Sequence, residues 1–244
     1  MSLRSNESNF QPLSREVLLA RGRCCDNGCK NCPYTRETSA KKEEKMTTPE
    51  CREWDSSVGP VPEVFEQNIY SDHRGIFTEL WQRERLHVPH KIGQINHSTS
   101  VSNTIRGMHW QVNPYAVGKF VTCLRGSVDD VVVDLRKRSK TFGQWKSYFL
   151  AGMSWGKKRS SVWVPPGFAH GFLVTSKDGA DVVYLQDGLW VKEAERSLRW
   201  DDPDVGINWL AREYVMGEDC PFVVSDKDSN ASFLKDLTDD DLFL

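Results

Sequence analysis

The chain has 244 residues, 39% hydrophobic and 27% charged, with a formal net charge of −2. This is long enough for one large domain plus an appendage, and the charge balance excludes the broad basic field of nucleic-acid or membrane-surface binders. No apolar run approaches the ~18 residues of a membrane span. The N-terminal stretch MSLRSNESNFQPLSREVLL lacks the apolar segment of a secretory signal, so a cytoplasmic protein is expected.

Residues 1–22 are polar, with one short helical pattern in SREVLLARG, where Ser14 suits a cap and Gly22 a stop. The segment CCDNGCKNCPY follows and carries four of the seven cysteines, Cys24, Cys25, Cys29 and Cys32. Cys25, Cys29 and Cys32 have the C-x3-C-x2-C spacing of an iron–sulfur cluster, but the first ~50 residues cannot supply the long barrel that radical enzymes build around one. A structural zinc site using these thiols and a fourth ligand is a second reading, although four thiolates so close in sequence have little freedom to surround an ion tetrahedrally. A dispensable extension is the third. Cys51, Cys123 and Cys220 read as buried thiols.

TRETSAKKEEKMTTPE has almost nothing to bury and reads as a linker. The expected organisation is a Cys-rich extension over 1–45 and a folded domain over 46–244. A start at Met46 would leave that domain intact.

From about residue 60 the pattern changes. EVFEQNIYSDHRGIFTELW, HKIGQINHSTS, GKFVTCLRGSVDDVVVDLR, GQWKSYFLAG, SSVWVPPGFAHGFLVTS and ADVVYLQDGLW alternate or are rich in β-branched residues, and turn chemistry such as DHRG, LRGS, PPG and KDG separates them. Short strands without intervening helices predict an all-β antiparallel sandwich or barrel. The tail from DVGINWL to DDLFL predicts irregular structure with a short helix. Most of the nine tryptophans suit packing.

Candidate chemistry centres on a few polar residues in these strands. NTIRGMHWQVNP sets Arg106, Gly107, His109 and Trp110 within five residues, and PPGFAHGF sets His170 between glycines. An isolated histidine is more often a satisfied, half-buried imidazole than a catalyst. Here both neighbour glycine, which permits close approach, and both are expected at strand ends, where barrel mouths place sites. Lys119 enters an apolar strand; the bland alternative is an edge lysine in water, and the chemical one is an ammonium facing a developing oxyanion. Tyr184 is either a core aromatic or a proton donor into a cavity. None of the six histidines has another at i+2, and His87 and His90 flank Pro89, so a three-histidine metal centre is not expected in the barrel.

Taken in order, DHRGIFTELW, QINHSTSVSNTIRGMHWQ, GKFVTCLRGSVDDVVVDLRKRSKTFGQW, VWVPPGFAHGFLV, WDDPDVGINW and SDKD closely resemble the dTDP-4-dehydrorhamnose 3,5-epimerase family over about residues 60–244. The resemblance implies a cupin-like jelly roll, no catalytic cofactor and a homodimer. It also implies proton abstraction beside the ketone of a nucleotide-linked 4-keto-6-deoxy sugar, in rhamnose or polysaccharide synthesis. It makes His109 the base, Asp228 its carboxylate partner, Lys119 the enolate stabiliser and Tyr184 the acid across the ring, with His170 and Asp130 as a supporting pair. Arg74, Glu79, Gln94, Asn96 and Arg106 match residues that bind base and diphosphate, and Tyr70 matches an aromatic that stacks on thymine. Surface ion pairing is the plain alternative for Arg74 and Glu79.

Departures follow Tyr184. YLQDGLWVKE stands where the family has Tyr-Lys-x-Thr-x-x-Tyr-x-Pro, so Leu185 replaces a charge and Trp190 replaces the second tyrosine without its hydroxyl. These changes are expected in the substrate pocket. They keep open a 3,4-ketoisomerase or an epimerase acting at one carbon. A non-catalytic sugar-nucleotide binder is the rival of another class.

Overall fold

A computed structural model describes residues 51–152, 158–209 and 221–244. The chain divides into two units, Met1–Thr47 and Thr48–Leu244. The predicted N-terminal helix and the cysteines Cys24, Cys25, Cys29 and Cys32 fall in the first and lie outside the described residues, as does Cys220.

The second unit is a sandwich of two antiparallel sheets, as the alternation predicted. One sheet has six strands in the order β2 (Gly75–Thr78), β1 (Glu63–Asp72), β8 (Lys158–Val164), β5 (Lys119–Arg125), β10 (Ala180–Gln186) and β3 (Gln94–Ser100). The other has five, β11 (Glu195–Ser197), β4 (Ile105–Gln111), β9 (Phe168–Val174), β6 (Ser127–Asp134) and β7 (Trp145–Ala151). Consecutive strands repeatedly lie in opposite sheets, which is the jelly-roll pattern. Among the described residues the tail supplies one short helix, α1 (Asp226–Ser229), capped by the Ser225 hydroxyl, and 3-10 turns.

Strand pleating sends alternate side chains to opposite faces, and three apolar clusters result. Val121, Val128, Val132, Val162, Phe168 and Val182 fill one end of the space between the sheets. Met108, Trp110, Val131, Val133 and Trp145 point out from the five-stranded sheet and are covered by the C-terminal segment, including Leu234, Leu237 and Phe243. Phe120, Trp163 and Leu185 point out from the six-stranded sheet under Leu86, Trp81 and Ile92. Each large apolar side chain so buried contributes about 1.5–3 kcal/mol. With both outer faces covered, the polar residues between the sheets gather at the end of the sandwich that the first cluster leaves unfilled.

Candidate active site

The RGMHW sequence is explained by a bulge. Along β4, Arg106 faces Phe172 of β9 and His109 faces His170, so three steps on one strand match two on the other. A one-residue insertion reverses the inside–outside phase. Arg106 and His109 therefore both turn inward, while Met108 and Trp110 turn out into the core. Gly107 makes this feasible. Its φ is +117°, and an added Cβ would lie 2.6 Å from the Gly171 Cα and 2.8 Å from the His170 carbonyl oxygen. His109 and His170 thus stand opposite one another in the middle of adjacent strands, a correction to the expectation that they sit at strand ends.

His109 Nε2 lies 2.6 Å from Asp228 Oδ1, and the other oxygen of that carboxylate accepts from the Gly107 backbone N–H at 3.2 Å. Asp228 is in α1, whose cap Ser225 also receives its backbone N–H at 3.1 Å. Burial works to raise the Asp228 carboxyl, but the hydrogen bond and charge of His109 overcome it and hold the group low. A low-lying, buried carboxylate fixes the tautomer and orientation of the imidazole.

Lys119 reaches in from the opposite sheet and donates to the His109 carbonyl oxygen at 3.2 Å. Burial pushes its ammonium down to about 8, against the fields of Glu195 and Asp130. Tyr184, on neighbouring β10, is raised above its ordinary value by desolvation. His170 Nε2 lies 2.8 Å from Asp130 Oδ2, with both side chains buried and the second Asp130 oxygen lacking a hydrogen-bond partner.

Two connected spaces meet at these groups. A cavity of about 650 Å³ is lined by His109, Lys119, His170 and Tyr184 together with Arg106 and Lys227. A smaller one of about 320 Å³ shares His109, Lys119 and Tyr184 and adds Gln94, Asn96, Gln111, Gln186, Trp190 and Glu195. Side-chain amides run through the smaller space: the Trp190 backbone N–H donates to Gln94, Gln94 to Asn96, and Asn96 to Gln186, at 2.9, 2.8 and 2.7 Å. Arg106 Nε donates to the Ser100 hydroxyl at 2.8 Å. Among the described residues, no group of three or more His, Cys, Asp or Glu side chains is placed to hold a metal.

Three predicted binding residues are elsewhere. Tyr70 and Arg74 lie in the β1–β2 hairpin around a separate cavity of about 500 Å³, and Glu79 follows β2. Arg74 pairs with Asp72 at 2.6 Å and Glu79 with Arg85 at 3.0 Å, so within one chain both make the surface ion pairs of the plain reading. The hairpin forms one edge of the six-stranded sheet and β3 the other. At about 4.8 Å per strand, β2 is roughly 19 Å from the strand of Tyr184.

Of the altered positions after Tyr184, only some face the site. Leu185 packs outward with Phe120 and Trp163, a correction to the expectation that it lines the pocket. Asp187 accepts from the Gly118 backbone N–H at 2.9 Å, a structural role. Trp190 does line the smaller space. Sequence reasoning missed Gln111, Gln186, Glu195 and Lys227. Glu195 and Lys227 occur in charged stretches that resemble ordinary surface, and no periodic signal marks them.

A jelly roll that turns a histidine–carboxylate pair inward from one sheet, against a lysine and a tyrosine from the other, defines a proton-transfer enzyme of the cupin-like kind. Residues 61–236 match the family model described as dTDP-4-dehydrorhamnose 3,5-epimerase, and the chain belongs to that family of sugar isomerases. Residues 6–38 match a family of unknown function. A dTDP-4-dehydrorhamnose 3,5-epimerase of Shigella flexneri is 38% identical over 176 residues, covering 70% of this chain and 90% of that one. The crystal structure of the dTDP-6-deoxy-D-glucose-3,5-epimerase of Legionella pneumophila, in complex with dTDP-4-keto-L-rhamnose, superposes with a TM-score of 0.65 at 35% identity, covering 75% of this chain and 92% of that one. A 3'-monoepimerase of Streptomyces bikiniensis, in complex with dTDP-quinovose, gives a TM-score of 0.62 at 31% identity, covering 71% and 84%.

Proposed function

We propose that the chain epimerises a nucleotide-linked 4-keto-6-deoxy sugar, with dTDP-4-dehydro-6-deoxyglucose converted to dTDP-4-dehydrorhamnose as the leading reaction. The observation that carries this reading is the placement of base and acid on opposite sheets. His109 on β4 and Tyr184 on β10 line the same space, so a sugar ring held between them is approached from both faces.

Inversion beside a ketone needs three things: a base on one face, a cation at the ketone oxygen and an acid on the other face. His109 takes the proton from C5 or C3, and the bond electrons move onto the C4 oxygen as an enolate. Asp228 stabilises the imidazolium so formed. Lys119, an ammonium partly desolvated by burial, stabilises the enolate oxygen. Tyr184, whose raised pKa keeps its proton in place, returns one to the opposite face of the same carbon, and solvent resets both groups.

Arg106 and the amides of Gln94 and Asn96 suit a diphosphate and a base. Tyr70, Arg74 and Glu79 belong to the same reading through a homodimer. The hairpin exposes Tyr70 at 57% and Phe77 at 68% on one sheet edge, while the edge strand β3 beside the site pairs on one side only among the described residues and exposes Ile95 at 62%. A second copy laying its hairpin along β3 would cover both and bring those three residues to the smaller cavity. Light scattering should give twice the monomer mass. Mixing inactive His109→Ala and inactive Glu79→Ala chains should regain activity, since each mixed dimer holds one intact site.

Residues 46–244 are the catalytic unit in this reading, with 1–45 an appendage. The test of the reaction is incubation with dTDP-4-keto-6-deoxyglucose in D₂O, following C3 and C5 by NMR. Deuterium at both carbons supports the 3,5-epimerase. The likeness to a 3'-monoepimerase, together with Trp190 in the site, favours an enzyme of one carbon as the second reading, and deuterium at C3 alone selects it. No exchange on this or related nucleotide 4-keto sugars would reject both.

A further inference from the structure

Glu195 takes no part in the reaction as written, yet it lines the same space as His109, Lys119 and Tyr184. In β11 it lies opposite Gln111, in the register that sets Ser197 opposite His109. Directly paired residues of an antiparallel ladder share a face, so its side chain enters the cavity face of His109. It lines the smaller space with Lys119 and Tyr184, and its Oε2 accepts from Lys227 Nζ at 2.6 Å. Lys227 in turn lines the larger space next to Asp228.

The charged and titratable groups lining the spaces around Lys119 come from several elements. Arg106 and His109 are on β4, His170 with Asp130 on β9 and β6, Tyr184 on β10, Lys227 and Asp228 on α1, and Glu195 on β11. Two of the three carboxylates have an assigned partner inside the site: Asp228 holds His109 and Asp130 holds His170. Glu195 is held by Lys227, whose side chain is half exposed, and by the Trp190 side chain, and its field acts on Lys119 together with that of Asp130.

We propose that Glu195 is a positioning residue of the reaction: from the wall facing Lys119 its carboxylate keeps that ammonium charged inside a desolvating site, and Lys227 sets how strongly it does so. The proposal rests on the reading of Lys119 as the partner of the enolate oxygen. Burial drives Lys119 toward its neutral form, Glu195 is the largest influence opposing this, and Lys227 acts with burial. A neutral amine is a poor partner for an enolate, so Glu195 supports turnover without touching the sugar.

The sign of the effect separates this from a structural salt bridge. Glu195→Gln removes the supporting charge, so the Lys119 titration should fall by about half a pH unit or more. Lys227→Met removes the opposing charge, so it should rise. A bridge that merely holds β11 to α1 is broken by both changes and should move both variants the same way.

The experiment uses the full chain labelled with ¹⁵N-lysine, with the Lys119 side-chain resonance assigned through Lys119→Arg. Its titration is followed alongside the alkaline limb of kcat/KM on dTDP-4-keto-6-deoxyglucose. Shifts of opposite sign in the two variants, with Glu195→Asp close to the parent, are expected. No shift in Glu195→Gln, or shifts of one sign in both, overturns the proposal. If Glu195→Gln does not fold, Glu195→Asp and Lys227→Met decide it: a lower midpoint in Lys227→Met overturns it. The NMR titration needs no turnover, so a wrong substrate would silence the kinetics while leaving this test intact.

Discussion

His109 Nε2 and Asp228 Oδ1 are 2.6 Å apart, although 119 residues separate them in the chain. The same carboxylate also accepts from the Gly107 N–H that forms the bulge. One acidic side chain therefore both seats the imidazole and secures the backbone irregularity that aims it. Because Nε2 faces Asp228, the proposed base role of His109 falls to Nδ1.

Replacing Asp228 by Asn keeps the shape but allows the wrong tautomer and removes the charge that stabilises the imidazolium. We expect kcat to fall by about 10²–10⁴-fold, with KM changed only a few-fold. His109→Ala should abolish deuterium exchange, whereas His87→Ala, which removes a surface pair with Glu63, should leave it intact. Steady-state kinetics and NMR exchange on the three variants check this.

Lys119 carries an opposite trade between activity and stability. Its pKa is pushed down from 10.5 to about 8 in the fold. Between these values the unfolded chain binds more protons, so Lys119 makes stability rise with pH from about 8 toward 10.5. Below 8 its full cost is present, on the order of 3 kcal/mol. Lys119→Met should thus be inactive yet melt at a higher temperature than the parent at pH 7, with the advantage gone near pH 10.5. Thermal melts across this range decide it, and equal melting at pH 7 would count against the burial argument.

The same group should set the alkaline limb of the parent enzyme. Loss of the Lys119 proton removes the cation from the enolate oxygen, so kcat/KM should decline above pH about 8. A profile flat to pH 9.5 would show that a neutral amine suffices.

Tyr184→Phe separates the two halves of the reaction. His109 can still remove a proton and return a deuteron to the same face. We expect exchange without inversion to persist and epimer formation to fall by about 10²-fold or more. Equal loss of both would place Tyr184 in substrate binding instead of proton delivery.

Gly107→Ala tests the bulge. Its Cβ would meet the backbone Cα of Gly171 at 2.6 Å, at φ +117°. The change should cost about 3 kcal/mol or more and remove activity even below the melting point, because the imidazole loses its aim. Chemical denaturation and exchange measurements on one sample test both effects.

Strand positions and turns follow from alternation and turn residues, because pleating is a local property with period two. The residues His109, Lys119, Tyr184 and Asp228 were legible only through ordered motifs, and the sequence could not say that they converge. Convergence needs β4, β5 and β10 to face one another across the sandwich and the SDKD segment to return beneath β4. The inward turn of His109 depends on register with β9, which no property of RGMHW alone encodes. Leu185 looked like a pocket change because sequence shows neighbours and not faces. Glu195 looked like surface because its burial and field come from β11 pairing with β4, more than 80 residues away in sequence. The sequence by itself therefore determined which elements form and which chemical groups exist. The tertiary structure decided which face each group occupies and which charges it feels, since burial and electrostatic fields depend on distances that only the packed sheets set.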